Sequence, residues 1–170
     1  EKAAILTIDG RGEDESCTWS VGEGSSITKL ASTPWPHSLG LLYSAITEYL
    51  GFAPHTDEWK VMALAAYGKK NDAYFPAIRS LVELADDGHF EIDLSYFTFF
   101  LFDKQPAFYN DKLIDLLGPP RKRNDPLDER HFDIAWALQT VFEDSVAHIL
   151  KQLHTATACD DLALAGGAVM

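Results

Sequence analysis

Three places in this chain bring acids, bases and glycines together at spacings that chemistry can use. An apolar run, residues 3–9, ends on Asp9 and passes into Gly10, Arg11, Gly12 and Glu13. An acid at a strand end beside glycines can fix a turn through nearby backbone amides, or it can hold a cation or stand beside a phosphate site. The residues alone leave both open. Asp57, Glu58 and Lys60 form a charged corner between two apolar stretches. Acids there suit the free amides and positive end of a new helix, and Lys60 can lay its stem over apolar surface and reach water. Gly166 and Gly167 follow the apolar run 161–165, as either a tight turn or a loop that lets a phosphate approach the backbone.

The elements that must position these groups can be read from periodicity. Residues 3–9, 17–21 and 27–30, with Gly22 and Gly24 between the last two, predict a three-stranded antiparallel meander. Pro36 and Ser38 open a helix whose apolar residues Leu39, Leu42, Ile46, Tyr49 and Leu50 recur at amphipathic spacing before Gly51 stops it. A second helix starts at Thr56–Glu58, continues through Val61, Met62, Leu64 and Ala65, and ends at Gly68. Phe75, Ile78, Leu81, Val82 and Leu84 predict a helix over 72–85, followed by an Asp86-Asp87-Gly88 turn and a strand over 89–94. Residues 129–153 carry one apolar helical face, and 161–165 read as a strand.

Other features have simpler readings. Five aromatic residues between Tyr96 and Phe102 could stack on a sugar or a base, but packing is the commoner use. The proline-rich stretch 118–128 reads as a loop, and its Arg121, Lys122 and Arg123 as solvated charge, although arginine could grip a phosphate. The six histidines, His37, His55, His89, His131, His148 and His154, read as surface or capping residues.

Composition bounds the function. The 170 residues are 46% hydrophobic, long enough for one domain with a real core. Acidic residues outnumber basic ones 26 to 14, and a net charge of -12 argues against a nucleic-acid or anionic-membrane surface. Cys17 and Cys159 lack metal or disulfide spacing and fit a reducing compartment, no secretory signal is seen, and the reading is cytoplasmic. The start at Glu1 without a Met, and the stop at Met170 just after a Gly-Gly turn, read as a piece cut at both ends.

The words SLGLLYSAITEYLGF (38–52) and DEWKVMALAAYG (57–68), with LTIDGRGE, DIAWALQ and LALAGGAVM in order around them, resemble the O-carbamoyltransferases of nodulation-factor and antibiotic biosynthesis. Trp59, Ala63 and the Ala168-Val169 order depart from that pattern. The resemblance spans nearly the whole chain, residues 1–170, as part of the N-terminal domain. It implies an α/β fold of the actin-like ATPase (ASKHA) kind, with a mixed sheet and flanking helices. It implies an enzyme that joins carbamoyl phosphate and ATP into a carbamoyl-adenylate and passes the carbamoyl group to a sugar hydroxyl. Asp9 then takes the role of an Fe(II) ligand, and Gly10, Gly12, Gly166 and Gly167 face nucleotide phosphates, with Glu58 and Lys60 at the nucleotide. The family's other iron ligands are two histidines upstream of this strand, so the piece alone is expected to be metal-free and inactive. The domain that makes the carbamoyl-adenylate is expected elsewhere in the same polypeptide. Two alternatives share parts of the pattern: a threonylcarbamoyl-transferring enzyme of tRNA modification, through D-I-A-x-x-x-Q and the Gly-Gly, and a non-catalytic nucleotide-binding scaffold.

Overall fold

Strand β1 (Lys2–Ile8) buries every second residue, Ala4, Leu6 and Ile8, as a strand with one face in a core must. In this computed structural model, which describes residues 2–104 and 106–169 with the backbone alone at 102–104, β1 lies inside a four-stranded sheet of order β3-β2-β1-β6. Strands β2 (Glu15–Glu23) and β3 (Ser26–Pro34) complete the expected antiparallel meander. Leu6 stands opposite Trp19 and Ile8 opposite Cys17, so the cross-strand pairs bury on one face. Burial pushes the Cys17 thiol up to about 12. Strand β6 (Leu162–Ala165) runs parallel to β1 on its other side, which makes the sheet mixed. Glu1 and Met170, on which the expectation of a cut chain turns, lie outside the described residues, as does the Phe102 side chain of the aromatic cluster.

The chain divides into two compact units, residues 1–40, 84–92 and 144–170 in one, and residues 41–83 and 93–143 in the other. The first holds the sheet with the end of α5 (Glu129–Thr157), where Ile149 and Leu153 are buried. His148 meets the Ala85 carbonyl at 2.7 Å, and Lys2 donates to the Thr157 carbonyl. Gly88, at φ 91°, lies against the Trp19 ring, where a side chain would collide.

The second unit is built on α1 (Leu39–Tyr49), whose residues 41–47 are all buried. The amphipathic helix is therefore a central one: Ser44 and Thr47, off its apolar repeat, are also inside, the Thr47 hydroxyl with no hydrogen-bond partner among the described residues. Short hydroxyl side chains can be enclosed at little cost when they are bonded, and Ser44 donates to Glu58 at 2.6 Å. Helix α2 (Glu58–Ala65) buries Val61 and Ala65 but turns Met62 outward, against expectation. The helix expected over 72–85 is also corrected. Only α3 (Tyr74–Arg79) forms, and Val82–Leu84 becomes strand β4, paired with β5 (Phe90–Ile92) across the Gly88 turn. The hairpin satisfies the backbone and buries Val82 and Phe90, which outweighs helical spacing. The residues around 94–104 form 3-10 turns with Phe97 and Phe99 buried, so those rings serve packing. Helix α4 (Asp111–Leu117), not anticipated, starts on an Asn110 cap.

Two side-chain anchors, the buried Asp133 and the half-buried Arg130, hold this unit together. Asp133, from the DIAWALQ word, accepts from the Lys69 amide and the Asn71 side chain, both at 3.0 Å, and Gln139 accepts from Tyr43. Arg130 donates to the Tyr49 hydroxyl and to the carbonyls of Leu117 and Pro119 at 2.7 and 2.8 Å. Arg121 is not merely solvated: it donates to Leu50 O at 2.7 Å and to Asp125 O, and lies over Phe52. Its planar fork suits several carbonyls at once. His131 is buried rather than at the surface, with Nδ1 2.7 Å from Asp128 at the start of α5. Replacing Arg130 by Met should remove three acceptors' partner and cost about 2–3 kcal/mol in denaturant unfolding. A loss under about 0.5 kcal/mol would show that Arg130 holds nothing in place.

Candidate functional site

At the C-terminal end of β1, the backbone of Asp9 is fixed on both sides. Its amide donates to Ser16 O at 2.9 Å, and its carbonyl accepts from the Ser38 hydroxyl, which also reaches Gly10 O at 2.7 Å. The Asp9 carboxylate accepts from the Gly167 amide at 2.8 Å. That bond joins residues far apart in sequence, because β6 ends beside β1. The turn after β6 follows from its glycine: Gly166 sits at φ 102° with its Cα against the Ile8 carbonyl, and Ala168 donates to the same carbonyl at 3.0 Å. No Cβ fits there.

The result is a patch of bare backbone. Asp9, Gly10, Gly166 and Gly167, singled out in the sequence, meet at the ends of two parallel strands. Gly40 joins them, although the sequence reading passed over it as part of a helix start. A Cβ on Gly40 would stand 2.7 Å from Gly10 Cα and 2.9 Å from Gly10 N, so the first turn of α1 can approach this loop only as glycine. The signal was present in the S-L-G word, where Ser38 binds the loop and Gly40 lets it come close. A Cβ at Gly10 would meet nothing within 4 Å. Gly10 therefore faces open space, and its small size serves neither packing nor a positive φ. Gly12 differs: a side chain there would strike the Glu15 carbonyl, so the turn into β2 by itself demands glycine.

Glu58 and Lys60 belong to the second unit. Asp57 precedes α2 without capping it through its side chain; it accepts instead from the Ala53 amide at 3.1 Å and pairs with Lys60 at 2.7 Å. The Lys60 hydrogen bond, followed by that of Ala53, holds the Asp57 carboxyl below its ordinary range. Lys60 is half-exposed and lies over the Trp59 ring at 5.4 Å. Glu58 accepts from the Ser44 hydroxyl and from the His55 amide, both at 2.6 Å, so its carboxylate ties α1 to the loop before α2. A carboxylate placed this way can also face a ligand only through the capacity those two donors leave.

Among the described residues, no three His, Cys, Asp or Glu side chains gather to hold a metal ion. Asp9 is one oxygen donor, and metal sites of the oxygen–nitrogen class need several. The residues present do not make up an iron site, and no step is routed through one below. Nor is any described helix long and apolar enough to cross a membrane.

Comparison with known proteins bears on this arrangement. The family model described as "Carbamoyltransferase N-terminus" matches residues 1–170. An uncharacterized protein of Synechocystis sp. is 36% identical over all of this chain, which corresponds to 27% of that protein. Nodulation protein NolNO of Sinorhizobium fredii is 33% identical and nodulation protein NolO of Bradyrhizobium diazoefficiens 34%, each over 98% of this chain and over 22% and 28% of their own lengths. The chain thus spans about a quarter of the relatives it matches.

Two glycines of the patch should separate by experiment. Gly166→Ala forces a side chain onto the Ile8 carbonyl at a positive φ and should cost about 2–4 kcal/mol in unfolding free energy. Gly10→Ala should change stability by less than about 1 kcal/mol, because its Cβ has room. Equal losses at both positions would mean that Gly10 is held by packing after all.

Proposed function

This chain belongs to the carbamoyltransferase N-terminal family, and on that premise we propose that it is the nucleotide-phosphate-binding part of a longer O-carbamoyltransferase with an actin-like ATPase fold. The full-length protein takes the carbamoyl group of carbamoyl phosphate, activates it with ATP as a carbamoyl-adenylate, and transfers it to a hydroxyl of a sugar-bearing acceptor. The observation that carries this reading is the open backbone at Gly10 beside the Asp9–Gly167 closure, at the ends of two parallel strands. Ligands of α/β sheets are bound at the carboxyl ends of strands, where glycines let anionic oxygens come within reach of amides.

Each residue then has a definite task. Gly10 presents backbone to the phosphates, while Gly167, whose amide is held by Asp9, together with Gly40 and Gly166 keeps the two loops close enough for it to do so. Gly12 shapes the turn that carries Gly10. Activation exchanges the phosphate of carbamoyl phosphate for AMP, with phosphate and pyrophosphate released; the acceptor oxygen then gives up its proton, bonds to the carbamoyl carbon and displaces AMP. Charge builds on the phosphate oxygens as the leaving group departs, and fixed amide dipoles stabilise it without having to reorient. Asp9 holds the Gly167 amide through its carboxylate, which fixes the two loops at one level. The acidic, nucleotide-using domain is placed in the cytoplasm, without nucleic acid or membrane as partner.

Tests belong in the full-length protein. Asp9→Asn retains an acceptor for the Gly167 amide but gives up the charge. It should keep the fold and lower carbamoyl transfer by about 100-fold or more, beyond what loss of a supporting residue brings. Transfer within about twofold of the parent would return Asp9 to a turn role. Gly10→Ala should weaken ATP binding about tenfold, near 1.4 kcal/mol, with stability unchanged. An unaltered affinity by calorimetry would take the phosphates away from this loop.

A further inference from the structure

Helix α2 carries its apolar residues on the wrong side. Val61 and Ala65 are buried, yet Trp59, Met62 and Ala63 of the helix and Ala66 and Tyr67 of the turn that follows it are exposed, at i, i+3, i+4, i+7 and i+8 in sequence, the spacing of a face that normally packs. Trp59 is 61% exposed, Met62 55% and Tyr67 77%. The stripe is also held in shape, with Lys60 over the Trp59 ring and the Tyr67 ring 5.9 Å from that of Phe132. Single exposed apolar side chains are ordinary, but two aromatics, a methionine and two alanines in line are a contiguous patch.

We propose that this stripe is the seat of an apolar segment of the same polypeptide, supplied by the part of the full-length protein outside these residues. Two observations select that occupant. The matched region is only 22–28% of each nodulation or cyanobacterial relative, so the larger part of such a protein is available to cover it. The patch is also small for a stable contact between two copies of the chain. Its area is on the order of 400 Å². A two-fold contact between copies would then bury about 800 Å², short of the roughly 1,200 Å² where stable interfaces begin. A tethered segment does not meet that requirement, since its effective concentration is about millimolar.

Met62 reports its own cover. In the purified full-length protein, peroxide should convert Met62 to the sulfoxide about tenfold or more slowly than in the urea-unfolded protein, at the same rate from micromolar to nanomolar protein. A smaller difference would leave the stripe in water and overturn the assignment, whether it is bare or awaits another protein. Protection that fades on dilution would also overturn it, in favour of a second copy. Ala66→Cys, at an exposed site that should tolerate the thiol, gives the same reading through maleimide labelling. Neither measurement uses ATP or carbamoyl phosphate, so its outcome stands apart from the catalytic reading.

Discussion

One main-chain constraint governs the first unit: the approach of the turn after β6 to the end of β1. Gly166 lies on the Ile8 carbonyl, Ala168 donates to that oxygen, and Gly167 donates to the Asp9 carboxylate. Two parallel strands thereby end at one level, and their loops share an edge. On the other side, Ser38 grips the carbonyls of Asp9 and Gly10 while Gly40 removes the side chain that would keep α1 away. The whole patch depends on backbone approaching backbone, which is why glycine recurs in it and why its positions are not interchangeable.

Much of this was legible in the sequence. The meander showed in its alternation, the long α5 in a single apolar face, and β6 in a run stopped by two glycines. Asp9, Gly10, Gly166 and Gly167 were visible as strand-end punctuation, and the family word order pointed the same way. Gly40 was not, because a glycine inside a helical word looks like a mild defect until the neighbour it makes room for is known. The helix over 72–85 failed for a related reason. Leu81, Val82 and Leu84 fit a helical period, but a hairpin partner starting five residues beyond Ala85, at Phe90, offered them a ladder, and periodicity does not register a partner.

Burial was the least legible quantity. Helix α1 has hydroxyls off its apolar repeat, yet Ser44 and Thr47 are enclosed. Helix α2 has apolar residues where a buried face was expected, yet Met62 is outside. Both follow from which neighbours each helix has, and a short helix in the middle of a word carries no mark of that. The charged corner shows the same dependence. Asp57 and Glu58 looked like caps, but their oxygens hold the Ala53 and His55 amides and Lys60, so they shape the loop before α2 rather than the end of the helix.

The distance in sequence between Asp9 and Gly167 has a bearing on how the protein comes into being. The β1–β2–β3 meander is local and can close as soon as it leaves the ribosome, whereas β1 has no partner on its other edge until the whole of α5 has been synthesised. Contacts of such long range are slow to form and raise contact order. During that interval β1 presents an open apolar edge in the nascent chain, a place for chaperone capture or for a wrong strand. The loop pair at Asp9 and Gly167 is accordingly assembled only after α5, and a chain that stalls or is released before residue 162 would hold a finished meander without that pairing.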